Sequence, residues 1–102
     1  MLKPGAEVYV SVAALWEIAL KHGRGGAGAL PFGPQAALEM ARQSHFKMLA
    51  ILPEHVVVVG SLPDIHRDPF DRIMVAQALH EQMTFLTRDE MILKYDVQTL
   101  KA

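Results

Sequence analysis

His66-Arg67-Asp68-Pro69-Phe70-Asp71-Arg72 decides how this chain is read. Asp68 before Pro69 is a strong helix start. Aspartate is a favoured N-cap, and proline is tolerated at the first helical position, where its missing N–H would have no partner. Asp71 then falls at the third position, where a carboxylate can cap reciprocally and complements the helix dipole. These roles explain Asp68 fully, whereas for Asp71 a structural and a functional role stand level. Eighteen residues after Asp71, Asp89 follows the apolar run Phe85-Leu86-Thr87, and far upstream Glu17 follows Trp16. Together the three segments suggest an acidic site assembled from distant parts of the chain.

Working outward, the periodicity predicts a helix from Pro69 to Gln82, a strand from Thr84 to Thr87, a short helix from Glu90 to Tyr95 and a last strand from Val97 to Leu100. Upstream, Val8-Tyr9-Val10 reads as a buried strand. Ser11 is then the N-cap of a helix with the apolar stripe Val12, Leu15, Trp16, Ala19 and Leu20, ending near Gly23. Gly23-Arg24-Gly25-Gly26-Ala27-Gly28 is too rich in glycine to hold a helix and reads as a mobile loop. A second helix is expected from Pro34 to His45, with Ala37, Leu38, Ala41 and Met40 inward, followed by a strand over Met48 to Leu52. Val56-Val57-Val58-Val59 is a strand on propensity alone. Short apolar runs alternating with helical stripes imply an α/β domain with a mainly parallel sheet.

At 102 residues and 51% apolar, the chain supports a single domain, residues 1–102, with an adequate core. A formal net charge of −1 gives no global basic field, so affinity for nucleic acid has to come from local clusters or metal ions. Without cysteine there is no disulfide framework and no thiolate chemistry. No stretch resembles a signal peptide or approaches the roughly 20 apolar residues of a membrane span, so a cytoplasmic location is the expectation.

Carboxylates held close together repel, and a hard divalent cation is a natural reason to gather them; oxygen ligands point to Mg²⁺ or Mn²⁺. Each acid also has a plain reading. Glu17 lies beside the apolar stripe, where it can pair with Lys21 one turn on. Asp89 can cap the helix beginning at Glu90. His22, His45, His55, His66 and His80 are scattered with no metal-ligand spacing, which argues against zinc. His66, Arg67, Arg72, Arg88, Lys21 and Arg24 can contact phosphates or simply serve solubility; Arg72 and Arg88 lead because each adjoins a proposed ligand. Thr87 can support the neighbouring acid by hydrogen bonding.

In order along the chain, Val8-Tyr9-Val10-Ser11, Leu15-Trp16-Glu17-Ile18-Ala19, the His66–Arg72 motif, Ala76-Gln77-Ala78 and Leu86-Thr87-Arg88-Asp89 resemble the PIN-domain ribonucleases, most closely the VapC-type toxins of toxin–antitoxin pairs. The resemblance runs from about Glu7 to Leu100. It implies a three-layer α/β/α fold, and Leu52-Pro53-Glu54-His55 followed by Leu62-Pro63 then resembles the short helix that such toxins carry ahead of this motif, in place of a strand over the valines. Glu17, Asp71 and Asp89 match three acids of the family's metal site, Arg72, Arg88 and Thr87 become candidate substrate contacts, and Trp16 is a core or interface residue.

PIN domains open with an apolar central strand ending in a metal-binding aspartate, and no counterpart precedes Val8. Three explanations are open: a fragment of a longer toxin, a gap filled by a partner or swapped copy, or a sheet that has closed up. The resemblance implies a Mg²⁺- or Mn²⁺-dependent endoribonuclease acting on RNA, restrained by a VapB-like antitoxin and forming a homodimer. The alternative is a non-catalytic remnant that binds antitoxin or dimerises. An unrelated phosphate-binding α/β module fits poorly, because the glycine-rich stretch follows a helix and not a strand.

Overall fold

The computed structural model describes residues 5–24, 30–65, 67–87, 95 and 99–101. The elements run β1 (Tyr9–Ser11), α1 (Val12–Arg24), α2 (Pro34–Gln43), β2 (Lys47–Leu49), α3 (Pro53–Ser61), α4 (Pro69–His80), β3 (Phe85–Thr87) and β4 (Thr99–Lys101). They fall into two compact units, Leu2–Ala50 and Ile51–Ala102. β1 pairs in parallel with β2 in the first and β3 in parallel with β4 in the second, so the expected α/β character and parallel pairing are both present.

In the first unit, Ser11 ends β1 and caps α1 as expected, its hydroxyl oxygen accepting from the Ala13 N–H at 3.0 Å. The predicted stripe of α1 is not what this helix buries. Ala13 is fully buried, whereas Val12, Leu20 and Trp16 are exposed, Trp16 by 57%. On α2 the buried residue is Ala41, and Met40, expected inward, is exposed. Small side chains at a helix contact let two backbones approach closely, and the larger residues are left on the flanks.

α1 runs to Arg24, one residue past the expected stop, and α2 ends at Gln43 rather than His45. His45 takes a left-handed conformation, φ 61°, which closes the helix and turns the chain into β2. β2 starts at Lys47, where the lysine N–H donates to the Val8 carbonyl and the register sets Lys47 beside Tyr9. Lys47 Nζ reaches a Glu7 carboxylate oxygen at 2.8 Å, and Tyr9 donates its hydroxyl to the other at 2.9 Å. The bond from Lys47 lowers the Glu7 pKa, and the same bond raises that of Lys47. The carboxylate's share of the pairing fades as pH falls through its lowered value, and the lysine's as pH rises through its raised one. Both groups are exposed and screened, so the cluster trims the edge of the ladder rather than holding the unit together.

In the second unit α3 packs on α4. Its four successive valines are poor helix formers, together less favourable than alanine by roughly 2–3 kcal/mol. Burial does little to offset this, because Val56 is 58% and Val57 76% exposed. The helix is held at its start instead. Pro53 occupies the first helical position, and the His55 imidazole, 0% exposed, accepts the Leu52 N–H on Nδ1 at 3.0 Å. A leucine has no side-chain acceptor to complete a reciprocal capping box, so His55 supplies the side-chain half alone. Accepting on Nδ1 places the ring proton on Nε2, which donates to Glu81 at 2.7 Å.

α4 begins as its sequence requires, with the Asp68 carboxylate accepting from the Phe70 N–H at 2.9 Å and Pro69 at the first position. It stops at His80, two residues short of the expectation, and Gln82 takes φ 56° in the turn that follows. Val75, Ala76, Gln77 and Ala78 are buried, and Val75 forms the core with Tyr95, flanked by Leu62, Ile65, Leu79 and Phe85. Gln77 is buried without leaving any side-chain polar atom unsatisfied among the described residues. β3 and β4 each lie within two residues of the predicted strands. Of the predicted helix from Glu90 to Tyr95, all but Tyr95 lies outside the described residues.

Two substitutions separate the caps. His55→Ala leaves the Leu52 N–H unpaired and a void beneath α3, with an expected loss of about 2–3 kcal/mol in denaturant unfolding. A loss below about 0.5 kcal/mol would show that the ring is not a cap. Asp68→Ala is expected to cost about 1 kcal/mol and Asp68→Asn, which retains an accepting oxygen, only a few tenths; equal losses would contradict the N-cap assignment.

Candidate functional site

Glu17 lies in the second turn of α1, in the first unit, with its side chain 23% exposed. Its carboxylate meets Lys21 Nζ at 3.2 Å, the i,i+4 pair that the sequence offered as the plain reading. Such a pair on a helix surface is worth roughly 0.3–0.5 kcal/mol, little against the attraction of a carboxylate for a divalent cation.

Asp71 belongs to the second unit. It sits at the third position of α4, half-buried, and the cap of that helix is already made by Asp68. The third acid, Asp89, and Arg88 beside it lie outside the described residues. Thr87 is described as the last backbone position of β3. In sequence Asp89 follows two residues after it. Within either unit, no three His, Cys, Asp or Glu side chains come together as a metal set among the described residues.

Arg72, expected at the substrate, is engaged within the protein. One guanidinium nitrogen donates to the Pro63 carbonyl at 3.0 Å and to the Tyr95 hydroxyl at 3.3 Å. The other donates to the Val59 carbonyl at 3.2 Å. The planar fork of arginine can serve several acceptors at once, and here it joins the first turn of α4 to the C-terminal end of α3. Nothing in the residue spacing signalled this, because the Pro63 and Val59 acceptors are backbone oxygens.

Two histidines considered as metal ligands also have structural work. His55 is the α3 cap. His22 donates from Nδ1 to the Leu30 carbonyl at 3.1 Å, and its ring lies so near Gly33 that a β-carbon there would stand 3.0 Å from Cδ2. Glycine at the head of α2 thus makes room for the imidazole at the tail of α1. His80 meets His55 edge to face at 5.4 Å between ring centroids. His66 lies outside the described residues, and His45 is exposed in the turn after α2.

Carboxylate oxygens such as those of Glu17, Asp71 and Asp89 are hard donors, which suit Mg²⁺ or Mn²⁺ better than a soft, thiolate-seeking metal. Among the described residues no helix is long and apolar enough to cross a membrane. Compared with known proteins, the chain matches the family model described as PIN domain over residues 2–98, a span that crosses both units. No curated protein and no solved structure gives a significant match. PIN domains are a nuclease fold whose members generally use divalent metals, and they commonly act on RNA and pair with antitoxins. With nearly the whole sequence matched and helices joined to parallel strand pairs, the chain belongs to the PIN domain family.

Proposed function

We propose that this chain is a metal-dependent endoribonuclease of the VapC toxin type, cutting RNA by phosphodiester hydrolysis and held in check by a VapB-like antitoxin. The observation that carries the reading is the family match over residues 2–98, a span that contains Glu17, Asp71 and Asp89, the acids we assign to the metal.

In this reading Glu17, Asp71 and Asp89 hold Mg²⁺ or Mn²⁺. When bound, the ion lowers the pKa of an attacking water and offsets negative charge on the phosphodiester. The side chains have simpler tasks. The three carboxylates supply hard oxygen donors, and Thr87 orients a neighbouring acid or water. Arg88 meets phosphate oxygens, whereas Arg72 serves first to hold the turn that carries Asp71. Residues 2–50 carry five basic against three acidic side chains, so the phosphate backbone is attracted mainly by that half, Lys21 and Arg24 included.

The antitoxin reading draws on α1. Val12, Trp16 and Leu20 recur every fourth residue and are all exposed, an apolar line of the kind a partner segment covers. A homodimer is part of the same proposal. A second reading is a non-catalytic PIN remnant that retains antitoxin binding or dimerisation, for which the exposed line on α1 suffices without a metal.

Cleavage of a mixed RNA substrate in Mg²⁺ or Mn²⁺ distinguishes these readings. The 102-residue chain is compared with its Asp71→Asn variant and with the chain extended by a PIN-like first strand ending in aspartate. The nuclease reading expects metal-dependent cutting, with Asp71→Asn losing more than the roughly 10–100-fold typical of removing an outer-shell partner, and circular dichroism unchanged. Cutting only by the extended chain assigns the 102 residues to binding alone. No metal-dependent cutting by either chain refutes the nuclease assignment.

A further inference from the structure

Val56-Val57-Val58-Val59 favours a strand, because β-branched side chains are cramped on a helix and fit a pleated surface. In α3 these residues are helical, and two of the four face solvent. Both ends of the helix are tied to α4. At the start, the His55 ring that caps Leu52 is anchored by its bond to Glu81, the C-cap of α4. At the end, Arg72 in the first turn of α4 binds the Val59 carbonyl and, just beyond α3, the Pro63 carbonyl. Inside α3 the side-chain support is slight: Ser61 returns a hydrogen bond to the Val58 carbonyl, and Gly60 has open space around it.

We propose that α3 is a conditional helix, kept helical by Glu81 and Arg72 of the α4 segment, and that release of either tie converts residues 54–59 into a strand pairing with the same segment of a second copy of this chain. The segment carries one charge, at Glu54, and lies between Pro53 and Gly60, which confine the strand to six residues. Identical short stretches of high β propensity, low charge and no internal proline pair with one another in register. The two ties leave from opposite ends of α4, so loosening that helix at either end frees the run. This device is independent of any nuclease activity.

The full chain, Glu81→Ala, Glu81→Gln, Arg72→Met, and Val57→Lys combined with Glu81→Ala and with Arg72→Met provide the test. Far-ultraviolet circular dichroism, the amide I infrared band and thioflavin T fluorescence are read over a series of protein concentrations. Glu81→Ala and Arg72→Met are expected to lose helix signal and to gain a several-fold, concentration-dependent β signal. Glu81→Gln keeps an acceptor for His55 and is expected to match the parent. Val57→Lys puts a better helix former and a charge in the most exposed position of the run and is expected to suppress the β signal in both backgrounds. The proposal is overturned if Glu81→Ala or Arg72→Met stays as helical as the parent, or loses helix without a β signal. A β signal in Glu81→Gln, or one that survives Val57→Lys, overturns it equally.

Discussion

The guanidinium of Arg72 is the constraint on which the second unit depends. It brings the end of α3, the connecting Pro63 and the hydroxyl of Tyr95 to the first turn of α4. Tyr95 pairs with Val75 in the core, so one polar group aligns the same helix that the apolar contacts bury. Hydrogen bonds from a charged donor are stronger than neutral ones, and one residue making several of them orients its surroundings as well as stabilising them. A lysine could carry the charge there but not the fork.

Local rules explain which parts of the fold could be read from the residues. Asp68-Pro69 announces a helix because cap and first position are adjacent in sequence, and Ser11 does so before α1 for the same reason. The alternation of runs and stripes revealed parallel pairing, since parallel neighbours need long connections between them. α3 was hidden from propensity, because what holds it lies 13 residues from Val59, at Arg72, and 26 from His55, at Glu81; only the resemblance to a family brought it into view. The α1 stripe misled because periodicity says that one face is apolar, not that this face is the buried one. Ala13 and Ala41, too small to dominate a pattern, are the residues the helices bury.

The acids illustrate a different limit. Glu17 and Asp71 were legible as candidates because their types and order carry meaning, yet each also sits where ordinary helix electrostatics would place a carboxylate. Spacing along a chain reveals no distance between side chains on separate elements. Arg72 shows another limit: its position beside Asp71 suggested a phosphate contact, while the Pro63 and Val59 carbonyls that it binds are backbone oxygens that no motif encodes.

The clasp between His22, Leu30 and Gly33 has a consequence for how this chain can vary. It fixes the chain at Leu30 to the tail of α1 and seats the head of α2 against the same ring. Once two points are pinned, the entropy of the segment between them rises only logarithmically with its length, about 0.6 kcal/mol for each doubling. A change in the number of residues joining Arg24 to Leu30 therefore carries little thermodynamic penalty, provided the histidine and the glycine that frame the connection are retained. An alanine at Gly33 would set its β-carbon 3.0 Å from the imidazole, which would have to give by a few tenths of an ångström to keep the clasp.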